Sequence, residues 1–402
     1  MDQVHSGEDN DGVRRASSRL RIATVGLASM CGVSFAALAP VRVSFDQTTI
    51  NVGKHAGFVA VSDVNEDGKP DLIVANDEEG TVTVLLGHGR GNFQATQSSP
   101  IPAGHLPNDI AVADMNGDGH LDLVIANHQS PYLTILLGDG RGGFRPAPGS
   151  PIDVHSTPHP HAIAVGAFSG RGVQDVVTDS WGNNKIELLL GDGKGRLNSP
   201  GRFFPVGHRP YERLRSADFN GDSRPDVVTT NLDDDTVTIL LSDGKGGFAA
   251  AAGSPFSAGA KPWEVAIGDF DRDGKFDLAI IPYERDVPGA EQVAVTVLRG
   301  DGKGGFSSLH SPRLPLEGCH GPNSIASGDV NGDGFPDIVV HCAESQSLAI
   351  FLGGAGLHFT RTNEPAGAGW GGAAVADLNG DGKADIVVAN HDNGTITVYL
   401  SK

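Results

Sequence analysis

The chain has 402 residues, a formal net charge of −19, 56 glycines and only 6% aromatic residues. So acidic a chain lacks the basic footprint that nucleic acid or an anionic membrane requires, and both are excluded as partners. Hydrophobic residues at 39% are too many for a disordered chain, and abundant Gly without a collagen period points to many tight turns in an all-β architecture.

In chain order, residues 1–39 come first and differ from the rest. Arg14, Arg15, Arg19 and Arg21 lead into an 18-residue apolar run from Ile22 to Ala39, closed by Ala36, Ala37 and Ala39. This reads as a secretory signal peptide. Pro40 disfavours a cut directly after Ala39 and moves it to Ala36 or Ala37. The run is also long enough for an uncleaved anchor. The arginine pair fits twin-arginine export, whereas Met30 before Cys31 does not fit a lipoprotein cleavage site. No later segment has the length and apolarity to span a membrane, so no membrane insertion of the mature domain is expected. The expected location is secreted, periplasmic or cell-surface.

From the forties onward the chain repeats about every 51 residues, which must be settled before any local reading. The stretch from Asn108 reads NDIAVADMNGDGHLDLVIANHQSPYLTILLGDGRGGF, and its partners start near Gly57, His161, Glu212, Trp263, Asn323 and Gly371. Each unit reads as four short strands. In the second copy, Ile110–Ala113 alternates ahead of an acidic loop (strand A) and Asp122–Ala126 is continuously apolar (strand B). Leu133–Leu137 follows a polar turn (strand C), and Phe144 opens strand D after a Gly-Asp-Gly-Arg-Gly-Gly turn. Continuously apolar strands need cover on both faces, which radially arranged four-stranded sheets supply. The expected fold is a seven-bladed β-propeller over residues 43–402, acting as a monomer. The last copy stops after Thr395–Leu400, so Val43–Val52 is expected to supply its fourth strand and close the ring.

The acidic loops follow D-x-[ND]-x-D-[GS]-x-x-D. Positions 1, 3, 5 and 9 are Asp63, Asn65, Asp67 and Asp71 in the first copy, and Asp114, Asn116, Asp118 and Asp122 in the second. The fourth copy has Asp218, Asn220, Asp222 and Asp226, and the fifth Asp269, Asp271, Asp273 and Asp277. The sixth has Asp329, Asn331, Asp333 and Asp337, and the seventh Asp377, Asn379, Asp381 and Asp385. Oxygen ligands at this spacing suit Ca²⁺, with Gly at position 6 allowing a sharp turn of positive φ. About six Ca²⁺ are expected. The six loops carry 19 aspartates, equal to the formal charge deficit, so six Ca²⁺ would leave a net charge of about −7. In the third copy Ala167, Ser169 and Arg171 take positions 1, 3 and 5, so no metal is expected there and Arg171 is a candidate to replace the cation's charge. Ser223 replaces Gly in the fourth copy, where a weaker site is expected.

This pattern, with the Gly-Asp-Gly-x-Gly-Gly-Phe turn, resembles the FG-GAP/VCBS repeat family, which includes the propeller of integrin α-chains and many exported bacterial proteins. The resemblance covers residues 43–402. It implies a seven-bladed propeller with calcium in the blade hairpins. Function is implied poorly, because members include adhesins, lectins and polysaccharide lyases.

Strand order puts the A–B and C–D loops on one face and the B–C and D–A loops on the other. The first face repeats itself, as a structural role would. The second is irregular and carries the candidate ligand residues His105, His128, His159, His161, Trp181, Arg209, Tyr211, Trp263, Tyr283, His320, His341, Trp370 and His391, together with Asn76, Asn127 and Asn390. Aromatic platforms beside imidazole and amide edges suit a glycan or an extracellular protein ligand. A non-enzymatic binding or adhesion module is therefore expected. One alternative is a polysaccharide lyase acting on an acidic glycan, drawing on His159, His161, Arg209, Tyr211, Glu212 and Arg213. Another is a structural surface repeat without a defined ligand. On the same face Cys319 and Cys342 fall in neighbouring loops of one blade, where an exported protein would form a disulfide. A transition-metal site of Cys319, His320, His341 and Cys342 is the other reading.

Overall fold

The computed structural model describes residues 43–287, 293–308 and 312–402, so the expected signal peptide lies outside the described residues. Among those described, no helix is long and apolar enough to cross a membrane.

Seven antiparallel sheets follow one another around a ring, each in the order A-B-C-D from the axis outward. In the second blade the strands are Pro107–Ala113, Asp122–Asn127, Tyr132–Gly138 and Phe144–Pro146. Strand B is buried at every residue in all seven blades, because the next blade covers each face. The core is accordingly a set of inter-blade seams. Ile73, Val82 and Val84 of blade 1 pack on Ile110, Leu123 and Ile125 of blade 2.

The ring closes as the repeat count requires. Phe45–Asn51 pairs with Thr395–Ser401, from Phe45 opposite Ser401 to Asn51 opposite Thr395, and supplies strand D of blade 7. Val74 and Leu85 of blade 1 then pack on Val387 and Val398 of blade 7.

Strand D is less regular than its sequence reading. In four blades a second short segment, such as Ile152–Asp153, pairs with strand C beyond the first. A Ser–Pro step lies between the segments, and in three of these blades the serine Oγ accepts the strand C amide left over: Ser99 from Val84, Ser150 from Ile135 and Ser254 from Ile239, at 2.9–3.0 Å.

Candidate functional site

The acidic loops join strands A and B. The position 1 carboxylate caps the loop in every intact copy. Asp63, for example, accepts the Asp67 and Gly68 amides at 3.1 and 2.8 Å. Asn65 at position 3 accepts the Asp67 amide, and Asp67 at position 5 accepts the Lys69 amide, both at 3.0 Å. Positions 4 and 6 are left-handed. Gly fills position 6 except at Ser223, whose φ is +65°. An L side chain there costs about 1–2 kcal/mol. Ser223→Gly is therefore expected to raise unfolding free energy by roughly 0.5–1 kcal/mol, after the entropy Gly adds to the unfolded chain, as read by urea titration.

The position 9 aspartate has a second task that the sequence reading missed. It is the first residue of strand B and fully buried in all seven blades. Asp71 Oδ2 accepts the Val64 amide at 3.0 Å and Oδ1 accepts the Gly87 amide at 2.8 Å, tying the loop to the end of strand C. Asp175 makes the same two bonds in the third blade, although that loop has lost positions 1, 3 and 5. Its retention there was the available signal. In the six intact loops burial pushes the position 9 carboxyl up, to about 6 at Asp226, Asp277 and Asp385 and about 7 at Asp337. The two amide bonds oppose that shift, and the neighbouring loop carboxylates add to it.

The third blade tests whether these loops fit a cation. The Arg171 guanidinium bonds the Ser169 Oγ at 2.9 Å, Asp175 Oδ1 at 3.1 Å and the Gly191 carbonyl at 2.9 Å. A positive group thus sits against the position 3 side chain, the position 9 carboxylate and a backbone carbonyl. In the fifth blade Asp269, Asp271 and Asp273 each bring a carboxylate oxygen within 4.8 Å of the others. The donor sets at positions 1, 3 and 5 are all oxygen, as a hard cation requires.

On the opposite face the structure gathers eight of the candidate ligand residues into one belt across blades 2 to 5. His128 follows strand B of blade 2. Its ring centroid lies 4.6 Å from that of His159 and 4.3 Å from that of His161, both in the D–A loop entering blade 3. Trp181 is 5.8 Å from His159, and Tyr211 is 4.3 Å from His161. Tyr211 continues to Trp263 at 5.2 Å, which stacks on Tyr283 at 4.5 Å. Arg209 lies over the Tyr211 ring. Within this belt His159 Nε2, Trp181 Nε1, Arg209 Nε and Trp263 Nε1 are sealed from solvent without a hydrogen-bond partner. Burial holds the His159 ring below its usual pKa, and neighbouring His161 adds to the effect.

The remaining candidates lie elsewhere. His105 is exposed ahead of blade 2. His391 pairs with Asp77 at 3.1 Å, a hydrogen bond that raises its pKa, and its ring packs on His55. His320 pairs with Glu284 at 3.2 Å, and Trp370 lies beneath the Arg285 guanidinium. His341 is not a ligand-face residue: it sits in strand B of blade 6, fully buried, with Nδ1 2.9 Å from the Gly371 carbonyl. Cys319 and Cys342 form a disulfide with S–S 2.01 Å, which with buried His341 leaves no four-residue metal site there. Asn76, Asn127 and Asn390 also leave the face. They end strand B and bond to strand C threonines, as Asn390 does to Thr395 and Thr397 at 3.0 and 2.9 Å.

Arg213 is likewise withdrawn. It is 5% exposed inside the channel, with Nε donating to Glu264 Oε1 at 3.1 Å and Nη1 3.9 Å from Asp109. Asp109 and Glu264 in turn accept the amides of Ile163 and Ile325 at 3.0 and 3.2 Å, and Arg213 covers the Phe58 ring. This network reaches residues from six blades. Below it the seven A strands line a cavity of about 470 Å³. Asp109 and Glu264 were missed because a strand A start reads as one more loop edge in sequence.

Residues 63–125, 114–178, 218–280 and 285–340 match the family described as FG-GAP-like repeat, and residues 368–399 match the FG-GAP repeat. A search of curated proteins finds no match. Among solved structures the chain is similar to virginiamycin B lyase from Staphylococcus aureus, at 12% identity over 89% of this chain and 99% of that one, with a TM-score of 0.56. It is similar to hydrazine synthase from Kuenenia stuttgartiensis, at 14% identity over 90% and 98%, with a TM-score of 0.58. It is also similar to an Agrocybe aegerita lectin that recognises non-reducing terminal N-acetylglucosamine, at 14% identity over 87% and 96%, with a TM-score of 0.52. At these identities the likeness is one of fold.

Proposed function

The chain belongs to the FG-GAP-like repeat family, and on that premise we propose that it is an exported, calcium-stabilised binding module that takes a glycan or extracellular protein on its histidine- and tryptophan-rich face. The carrying observation is the belt from His128 to Tyr283, where rings from four blades touch in sequence. Such rings offer apolar faces to a sugar or an aromatic side chain, while imidazole and indole N–H groups fix hydroxyls or carbonyls. The N–H groups of Trp181 and Trp263, sealed before binding, would each gain a hydrogen bond once a ligand shifts the belt. Calcium is supported by the third loop, where a guanidinium takes the place of a cation.

A glycan array and a panel of extracellular-matrix proteins, probed in calcium, test this reading. Saturable binding is expected, weakened about 10-fold or more by Tyr211→Ala or Trp181→Ala with the melting temperature nearly unchanged. Binding indifferent to both substitutions would move the ligand site elsewhere. No binding to either panel would leave a structural repeat. Release of unsaturated uronate ends from an acidic polysaccharide would favour the lyase reading.

A further inference from the structure

We infer that His128, His159 and His161 form a binding site for one late first-row divalent transition-metal ion of the zinc class, separate from the acidic loops. One ligand nitrogen from each ring lies within 4.8 Å of the other two. Tetrahedral ligation at 2.0–2.1 Å would bring them to about 3.3 Å, a contraction that side-chain rotation can supply. Imidazole donors select zinc, copper or nickel over Ca²⁺, so the two kinds of site would not compete for the same ion.

The surroundings are built to hold the rings. The His128 amide bonds the Leu106 carbonyl at 2.9 Å. In the loop bearing the other two, the Thr157 amide bonds Ser180 Oγ at 2.8 Å and the Thr157 carbonyl accepts the Gly182 amide at 2.7 Å. The His161 and Ala162 amides share Asp179 Oδ1 at 2.7 and 2.8 Å. Asp179 is 1% exposed and its Oδ2, unlike Oδ1, has no hydrogen-bond partner, so one buried carboxyl oxygen near His161 is left unsatisfied. A buried anion next to metal-ligating histidines raises ligand basicity and offsets the cation's charge. Asn108 Nδ2 donates to the His161 carbonyl at 2.9 Å, which fixes the backbone that carries that ring. His159 Nε2 is sealed and forms no hydrogen bond, as a nitrogen waiting for an ion would.

A second cluster, His55, Asp77 and His391, also lies within 4.8 Å and holds two ion pairs, His391 Nε2 with Asp77 at 3.1 Å and His55 Nε2 with Glu78 at 3.0 Å, and its His391 serves as the comparison position. Three protein ligands around an ion would leave a fourth position open beside Trp181 and Tyr211.

The test uses untagged, metal-stripped protein reloaded with calcium, titrated with Zn²⁺ by calorimetry and with Co²⁺ by visible spectroscopy. One equivalent of Zn²⁺ per chain is expected, with the strong visible absorption of low-coordinate Co²⁺. His128→Gln and His159→Gln are each expected to weaken Zn²⁺ binding about 100-fold or more and abolish the cobalt spectrum. His391→Gln is expected to change neither. Melting in calcium establishes that each variant is folded. Absence of zinc binding by the unmodified protein, or binding lost with His391→Gln and kept in the other two, would overturn the assignment. The result is independent of whether the belt binds a glycan or protein.

Discussion

Stripping calcium is expected to lower the melting temperature by about 10 °C or more, with recovery on adding Ca²⁺ but not Mg²⁺. An ion at 100 times its dissociation constant stabilises the folded state by about 2.7 kcal/mol per site. Six loops therefore total roughly 16 kcal/mol if the ring unfolds in one step, at about one degree per kcal/mol for a chain of this size. The pH dependence should also change sign. Without metal, Asp226, Asp277 and Asp385 titrate at about 6 and Asp337 at about 7 in the folded state, above their ordinary value of 3.8. The folded state then holds more protons than the unfolded one between pH 4 and 7, so stability falls as pH rises through that window and levels off above it. With calcium, protons compete with the ion and stability rises over the same window. Melting curves from pH 4 to 8 in EDTA and in calcium check both claims, and parallel slopes would refute calcium in these loops.

Arg213→Ala is expected to cost about 3–5 kcal/mol, the largest effect of any single surface-remote substitution proposed for this ring. The loss comes less from the ion pair itself than from Asp109 and Glu264, which are 2% and 1% exposed and would be left charged without their partner. Arg215 also bonds Glu264 at 3.1 Å, so Glu264 keeps partial compensation and Asp109 suffers more. A companion variant, Arg213→Met with Asp109→Asn and Glu264→Gln, removes the charges together and should recover most of the loss. Urea midpoints at unchanged slope check the pair. Equal destabilisation in both variants would mean that the packing of Arg213 on Phe58 matters more than its charge.

Repetition made the architecture readable. A strand seen once is ambiguous, but seven copies of Asp-leading apolar runs such as Asp71–Asn76 and Asp385–Asn390 could only be strands covered on both faces. Closure by residues 43–52 was legible for the same reason, since one missing strand D left one orphan segment to fill it. The faces were less legible. His341 and His391 follow the same repeat logic, yet His341 is the fifth residue of strand B, counted from Asp337, and His391 the seventh from Asp385, one past the strand end at Asn390, so two residues separate a core imidazole from a half-buried one. Arg213 reads as a loop cation until blades 2 and 5 deliver Asp109 and Glu264 to it across 104 and 51 residues of sequence. The belt itself is a product of ring geometry: His128 and His161 belong to different repeats and meet only because a D–A loop crosses over the preceding blade.

The pairing of Phe45–Asn51 with Thr395–Ser401 also sets an order of events during synthesis. Every other sheet is complete within a single repeat and can form as soon as its own fourth strand leaves the ribosome. The last sheet needs partners separated by more than 340 residues, such as Asn51 and Thr395. Such a contact carries the largest loop-closure cost in the chain and forms late. Until then the first strand has exposed backbone groups along both edges, and blade 1 presents its seam to solvent. A growing chain would thus hold an adhesive ribbon at its start for nearly the whole of its translation, and charged Asp46 on that strand, outward-facing in the finished ring, would help keep it from pairing with another copy.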